Sequence, residues 1–181
     1  WRTVAVCHGR LARELDEDQA DGHTDAPLVS IVSLWRNEER SIERCVRSAL
    51  AAKYPRLIVV AVDDHSTDRT GAILRAIAAE DARLHVVVPA PLPVGWFGKQ
   101  WACSSGAAAS TGEIVGFLDA DTWQAPDLVP RVVNAMRERR ADLPTAAGTQ
   151  RRGTFWERLV QPRGFQLMLV VCCATEAGTQ Y

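Results

Sequence analysis

Two pairs of carboxylates close apolar runs in this chain, and one lysine precedes a stretch of small residues. Asp119 and Asp121 flank Ala120 near the end of "GEIVGFLDADTW" (112–123), and Asp63 and Asp64 follow "LIVVAV" (57–62). Like charges this close repel, and burying them without a partner is costly. A divalent cation removes that cost, because Mg²⁺ and Mn²⁺ take oxygen ligands and accept a diphosphate as co-ligand. An extended D-x-D sends both side chains off the same strand face, toward one ion. The alternative is a turn in which both carboxylates bond to the backbone. Asp63 or Asp64 could accept from a base N–H or from ribose hydroxyls, with Ser66, Thr67 and Asp68 capping the next helix. His65, between them, reads as a polar loop residue and not as a ligand. Lys99, in "PVGWFGKQWACSSGAAASTGE" (93–113), falls at a helix start. The helix dipole disfavours a cation there unless an anion such as phosphate shares the site. Of its neighbours Trp96 and Trp101, at least one reads as a packing residue.

These residues need a frame, and the hydrophobic pattern supplies one. "LVSIVSL" (28–34), "LIVVAV" (57–62), "LHVVV" (84–88) and "EIVGFL" (113–118) read as strands, the last of them buried. Between them lie helical patterns. Ile42, Cys45, Val46, Ala49 and Leu50 share one face, Ile73, Leu74 and Ile77 another, and small residues run from Lys99 to Ser110 before Gly112. Pro126 opens a last helix with Leu128, Val129, Val132, Val133 and Met136 on one side. Strands alternating with helices predict an α/β fold with a mainly parallel sheet flanked by helices. Ligands in such sheets bind beyond the carboxyl ends of the strands, where both acidic pairs fall.

The chain has 181 residues, 47% of them apolar, and a net charge of −1, enough for one domain with a real core. Near neutrality gives no electrostatic reason to expect a nucleic acid partner. The one basic cluster, "RERR" at 137–140, reads as a solvated helix end. Cys7, Cys45, Cys103, Cys172 and Cys173 lack CxxC spacing, which argues against a disulfide framework and a structural zinc, and fits a reducing compartment. Residues 1–27 are polar and acidic and read as a loosely ordered lead-in ending at Pro27. With Trp1 in place of Met the chain reads as a fragment. The longest apolar run, "FQLMLVVCCA" (165–174), is about half of what a spanning helix needs.

In order and spacing, "VSIVSLWRNEE" (29–39), "VDDHSTDRT" (62–70), Lys99 with Ala102, Gly106 and Gly112, and "DAD" (119–121) resemble the family 2 glycosyltransferases of the GT-A fold. "LPVGWFGKQWA", "FLDADT" and "GTFWERLVQP" resemble the hopanoid-associated and carotenoid-pathway subgroup, whose acceptors are lipids. The resemblance covers about 28–163 as a nucleotide-sugar-binding domain, leaving 164–181 as an apolar segment of an incomplete acceptor side. It implies that Glu38, Asp63 and Asp64 contact the nucleoside of the donor, a UDP-sugar by default. Asp119 and Asp121 would hold the donor diphosphate, Asp121 as direct ligand of Mn²⁺ or Mg²⁺, and Lys99 would neutralise phosphate. It further implies inversion at the anomeric carbon and action at the inner face of the bacterial cell membrane, on the cytoplasmic side.

Two departures stand out. Leu34 and Trp35 replace the proline common near the end of the first strand. The acidic general base, expected well downstream of the DAD segment, has no match, since Glu176 sits in no recognisable motif. Donor binding with poor turnover is therefore the alternative to full transferase activity. A haloacid-dehalogenase-type phosphatase also places two aspartates after an apolar strand, but Thr122 follows Asp121 directly instead of two places on. A Rossmann dehydrogenase would need G-x-G-x-x-G where "WRNEER" stands.

Overall fold

A computed structural model describes residues 3–7 and 26–147, with side chains over 26–142. Among the described residues six strands and four helices follow in the order β1 (Thr3–Cys7), β2 (Val29–Trp35), α1 (Ile42–Leu50), β3 (Leu57–Asp63), α2 (Thr70–Glu80), β4 (Leu84–Val87), α3 (Gly98–Ala109), β5 (Ile114–Leu118), α4 (Leu128–Arg139) and β6 (Leu143–Ala147). The main sheet is wholly parallel, in the order β4-β3-β2-β5. A second parallel pair joins β1 to β6, so "TVAVC" in the stretch read as a loose lead-in is a strand. The polar residues beyond it hide that short apolar run from a periodicity count.

Side-chain alternation along β2 and β3 builds a core on each face. Val29, Ile31, Trp35, Leu57, Val59 and Ala61 face α1, α2 and α4, meeting Ile42, Val46, Leu74, Ile77, Val129 and Val133. Val32, Val60 and Val62 face α3 and meet Ala102. At Gly106 the helix lies so close that an added Cβ would overlap Val32 Cγ1 and come within 2.8 Å of Val62 Cγ2. Only a residue without Cβ lets α3 seat at this depth. Gly112 does not end that helix, which stops at Ala109. Its N–H instead donates to Ser30 Oγ at 2.9 Å, where β5 enters the sheet.

Among the described residues β5 is the outer strand of this sheet, and its burial alternates where its apolar run suggests a buried strand. Ile114 and Leu118 pack on the core, while Val115 and Phe117 are exposed because α3 covers β2, β3 and β4 on that face. "RERR" ends α4 as a solvated terminus, with Arg140 in the left-handed region. Cys45 and Cys103 are free thiols. The segments 8–25 and 148–181, with the apolar run, Glu176 and "GTFWERLVQP", lie outside the described residues.

Candidate functional site

Chain order runs from β2 outward through β3 to β4, then returns across the opposite face to β5 on the other side of β2. In parallel sheets such a reversal marks where ligands bind, here at the carboxyl end of β2 between the ends of β3 and β5. The strands flanking β2 are about 10 Å apart at two inter-strand spacings. Both acidic pairs reach this rim.

The loop after β2 and the loop after β3 are knitted together. Asn37, in the left-handed region at φ 57°, presents Oδ1 to the Thr67 N–H at 2.8 Å, and its own N–H donates to Ser66 Oγ at 3.0 Å. Glu38 N–H donates to Thr70 Oγ1 at 2.9 Å, and Glu39 N–H to Asp68 Oδ2 at 3.2 Å. Asp68 Oδ1 also accepts from Thr70 N–H at 2.9 Å. Burial would raise the Asp68 pKa, but these hydrogen bonds hold it below the usual aspartate range. Ser66 and Thr67 therefore do not cap α2, which begins only at Thr70. They serve the neighbouring loop instead. This clasp carries no strong sequence signal beyond the density of Asn, Ser, Thr and Asp.

Within it the expected site residues have different fates. Asp63 is buried: Oδ1 accepts from Ser66 N–H at 3.0 Å, and a Cβ on Gly71 would come within 2.6 Å of Oδ2. Asp64 instead keeps a side chain that is 21% exposed, meets Arg36 Nη1 at 3.2 Å, and lies 3.9 Å from where a Cβ on Gly98 would begin. Asp64 thus faces the start of α3, and Arg36 joins the rim unforeseen. The Glu38 carboxylate accepts from Ser41 Oγ at 2.9 Å at the entry to α1. Trp35, one of the two residues that stand where a proline is common, is buried with its Nε1 donating to Ser33 Oγ at 2.7 Å.

On the other flank, the D-x-D is a turn, with Thr122 N–H donating to Asp119 O at 3.1 Å. The extended geometry expected from the sequence fails because Leu118 makes the last pair with β2, and a strand without a ladder partner folds into the turn that Asp and Thr favour. Asp119 Oδ1 accepts from Lys99 Nζ at 2.9 Å, and that hydrogen bond raises the lysine pKa. The anion anticipated beside Lys99 is, in this structure, the Asp119 carboxylate. Beneath the turn, the Cys45 thiol is pushed up to about 12 by burial and then by the Asp121 charge, which also acts on Lys99. Arg44 of α1 stacks 3.8 Å over the Trp123 ring and holds the exit of the turn.

Among the described residues no three metal-ligating side chains converge. Asp119 and Asp121 offer oxygen donors only, beside a field already strong enough to draw in an ammonium. That donor set fits a hard divalent cation that takes its remaining ligands from water and phosphate.

The Glycosyl transferase family 2 model matches residues 30–171. The β-monoglucosyldiacylglycerol synthase of Synechocystis sp. is 38% identical over 109 residues, 59% of this chain and 22% of that protein. The undecaprenyl-phosphate 4-deoxy-4-formamido-L-arabinose transferase of Pseudomonas aeruginosa is 34% identical over 137 residues, 72% of this chain and 38% of that protein. The chain thus spans well under half the length of these curated relatives. Among solved structures, the mannosyltransferase PcManGT from Pyrobaculum calidifontis, in complex with GDP-Man and Mn²⁺, superposes with TM-score 0.54 at 29% identity over 70% of this chain and 38% of that one. TarS 1–349 of S. aureus, in complex with UDP-GlcNAc, gives 0.57 at 25% identity over 70% and 36%. A parallel sheet whose acidic rim turns around β2, on a chain matched by this model along most of its length, is the GT-A fold, and the chain belongs to glycosyltransferase family 2.

Proposed function

We propose that the rim around β2 binds the nucleotide-sugar donor of an inverting, metal-assisted glycosyltransferase whose acceptor is a lipid. The observation that carries this reading is the pairing of Lys99 with the Asp119 turn across the end of β2 from Asp64. Asp64, with Asp63 fixing its loop, would face the nucleoside of a UDP-sugar, with Glu38 contributing from the loop after β2. Asp119 and Asp121 would hold Mn²⁺ or Mg²⁺, which supplies charge stabilisation to the departing diphosphate. Lys99 is placed to exchange its carboxylate partner for a phosphate oxygen, keeping the neutralisation local as charge builds on the leaving group. The PcManGT complex with GDP-Man and Mn²⁺ and the TarS complex with UDP-GlcNAc support a nucleotide-sugar as ligand, and the diacylglycerol and undecaprenyl relatives support a lipid acceptor. A lipid acceptor places the reaction at a membrane surface, at the inner face in a bacterium. No helix among the described residues is long and apolar enough to cross one.

The acidic side chains at this rim are engaged in loop contacts or in the proposed donor contacts, which leaves the acceptor hydroxyl without a base among them. Donor binding is accordingly the step that the described residues support. Thermal unfolding with UDP- and GDP-sugars, with and without Mn²⁺, tests the reading. A bound donor raises the transition temperature, through a stabilisation of about 2.7 kcal/mol at a hundredfold excess over its dissociation constant. Asp121→Asn should remove the Mn²⁺-dependent part of that gain; a gain that Mn²⁺ does not alter, or a Mn²⁺-dependent part that survives Asp121→Asn, would overturn it.

A further inference from the structure

The loop between β4 and α3 holds apolar groups out in water. Leu92 is 54% exposed, Val94 103%, Trp96 44% and Phe97 74%. No Asp, Glu, Lys or Arg occurs between His85 and Lys99. The presentation is built, not slack. Pro89, Pro91 and Pro93 restrict the backbone. Trp96 N–H donates to Pro93 O at 3.2 Å, closing a turn whose third residue, Gly95, has φ +87° and whose tip is Val94. From α3, Trp101 Nε1 donates to Ala90 O at 2.8 Å, and its ring meets Trp96 edge-on at 5.3 Å. Folding therefore fixes these side chains outward when collapse onto the core would hide them.

We propose that this loop inserts into the interfacial layer of a lipid bilayer and seats the donor rim on the membrane. The inference rests on the lipid-acceptor reading above and adds the surface that meets the lipid. Shape and size select this occupant. The tip is convex, and its four side chains expose on the order of 500 Å², short of the roughly 800 Å² per partner that a stable protein interface needs. A bilayer accepts a convex apolar wedge of any outline, and indole rings favour its headgroup boundary. The absence of charge along the loop removes the main cost of entry. The loop also runs without a break into Gly98 and Lys99, so its tip and the Asp119 turn lie on one rim.

Flotation of the whole chain with phosphatidylcholine–phosphatidylglycerol vesicles tests this. The wild type is expected to float and to stay bound in high salt, which screens charge but not apolar insertion. Val94→Ser combined with Phe97→Ser is expected to weaken binding at least about tenfold with the melting transition unchanged, since both side chains are exposed. Brominated lipid is expected to quench the wild-type tryptophan emission, and less so in Trp96→Phe, a readout that does not depend on the double variant folding. A wild type left in the aqueous fraction, or a folded double variant that floats equally well, overturns the proposal. So does a concentration-dependent dimer abolished by the double substitution, which would assign the loop to a second copy. The donor reading fails separately: a wild type that floats but gains no stability from any nucleotide-sugar with Mn²⁺ refutes that reading and upholds the bilayer contact.

Discussion

Lys99 Nζ meets Asp119 Oδ1 at 2.9 Å, joining the first turn of α3 to the acidic turn after β5. Both side chains are largely exposed, at 73% and 68%, so the pair contributes at most about 1 kcal/mol to stability. Its importance lies in the charge it brings to the rim. Lys99→Met should leave the urea midpoint nearly unchanged while calorimetric affinity for a nucleotide-sugar falls about tenfold. The raised lysine pKa means the pair persists through neutral pH and weakens only as pH climbs beyond the ordinary lysine value of 10.5.

The clasp between the loops after β2 and β3 should respond to acid. Asp68 has a lowered folded-state pKa, so its contribution is present above the usual aspartate value of 3.8 and is lost as pH falls through the folded value. Asp68→Asn, which offers one acceptor oxygen where the carboxylate offers two, should be less stable than wild type at neutral pH. Urea unfolding of the two proteins over a pH series should converge in acid. A gap that persists unchanged there would detach the effect from this carboxylate.

Gly106→Ala should destabilise by about 1–3 kcal/mol through overpacking against Val32 and Val62. Val32→Ala in the same background makes room for the new methyl and should recover part of the loss. Thermal unfolding of the single and double variants measures that coupling.

Burial beneath the acidic turn pushes the Cys45 thiol pKa well above the ordinary cysteine value, so it should resist alkylation in the native state. Cys103 is partly exposed and should label before Cys45. Peptide mapping after a timed iodoacetamide pulse, with and without denaturant, distinguishes the two.

The layers of this fold were readable because parallel strands such as β3 are continuous apolar runs and α1 keeps its apolar residues on one face. Lys99 and Asp119 could each be picked out by residue type. Their contact could not, since it depends on how deeply α3 seats, and that depth is set by Gly106 against Val32. The clasp was hidden for a similar reason. Asn37, Ser66 and Thr67 look like local turn residues, and only the adjacency of β2 and β3 lets each serve the other's loop. At Asp119–Thr122 the residue types allowed both a turn and an extended D-x-D, and the choice between them is set by where the pairing of β5 with β2 ends, at Leu118.

The central position of β2 sets an order of assembly. Its neighbour β3 joins it after a loop of about 28 residues, as the Arg36–Asp64 contact spans, whereas β5 must return from about 85 residues away, as the Leu28–Glu113 contact spans. Closing the longer loop costs more chain entropy, and nothing rewards it until α3 has docked. During synthesis the half bearing Asp64 can consolidate while the half bearing Asp119 is still emerging, so the acidic rim is completed last.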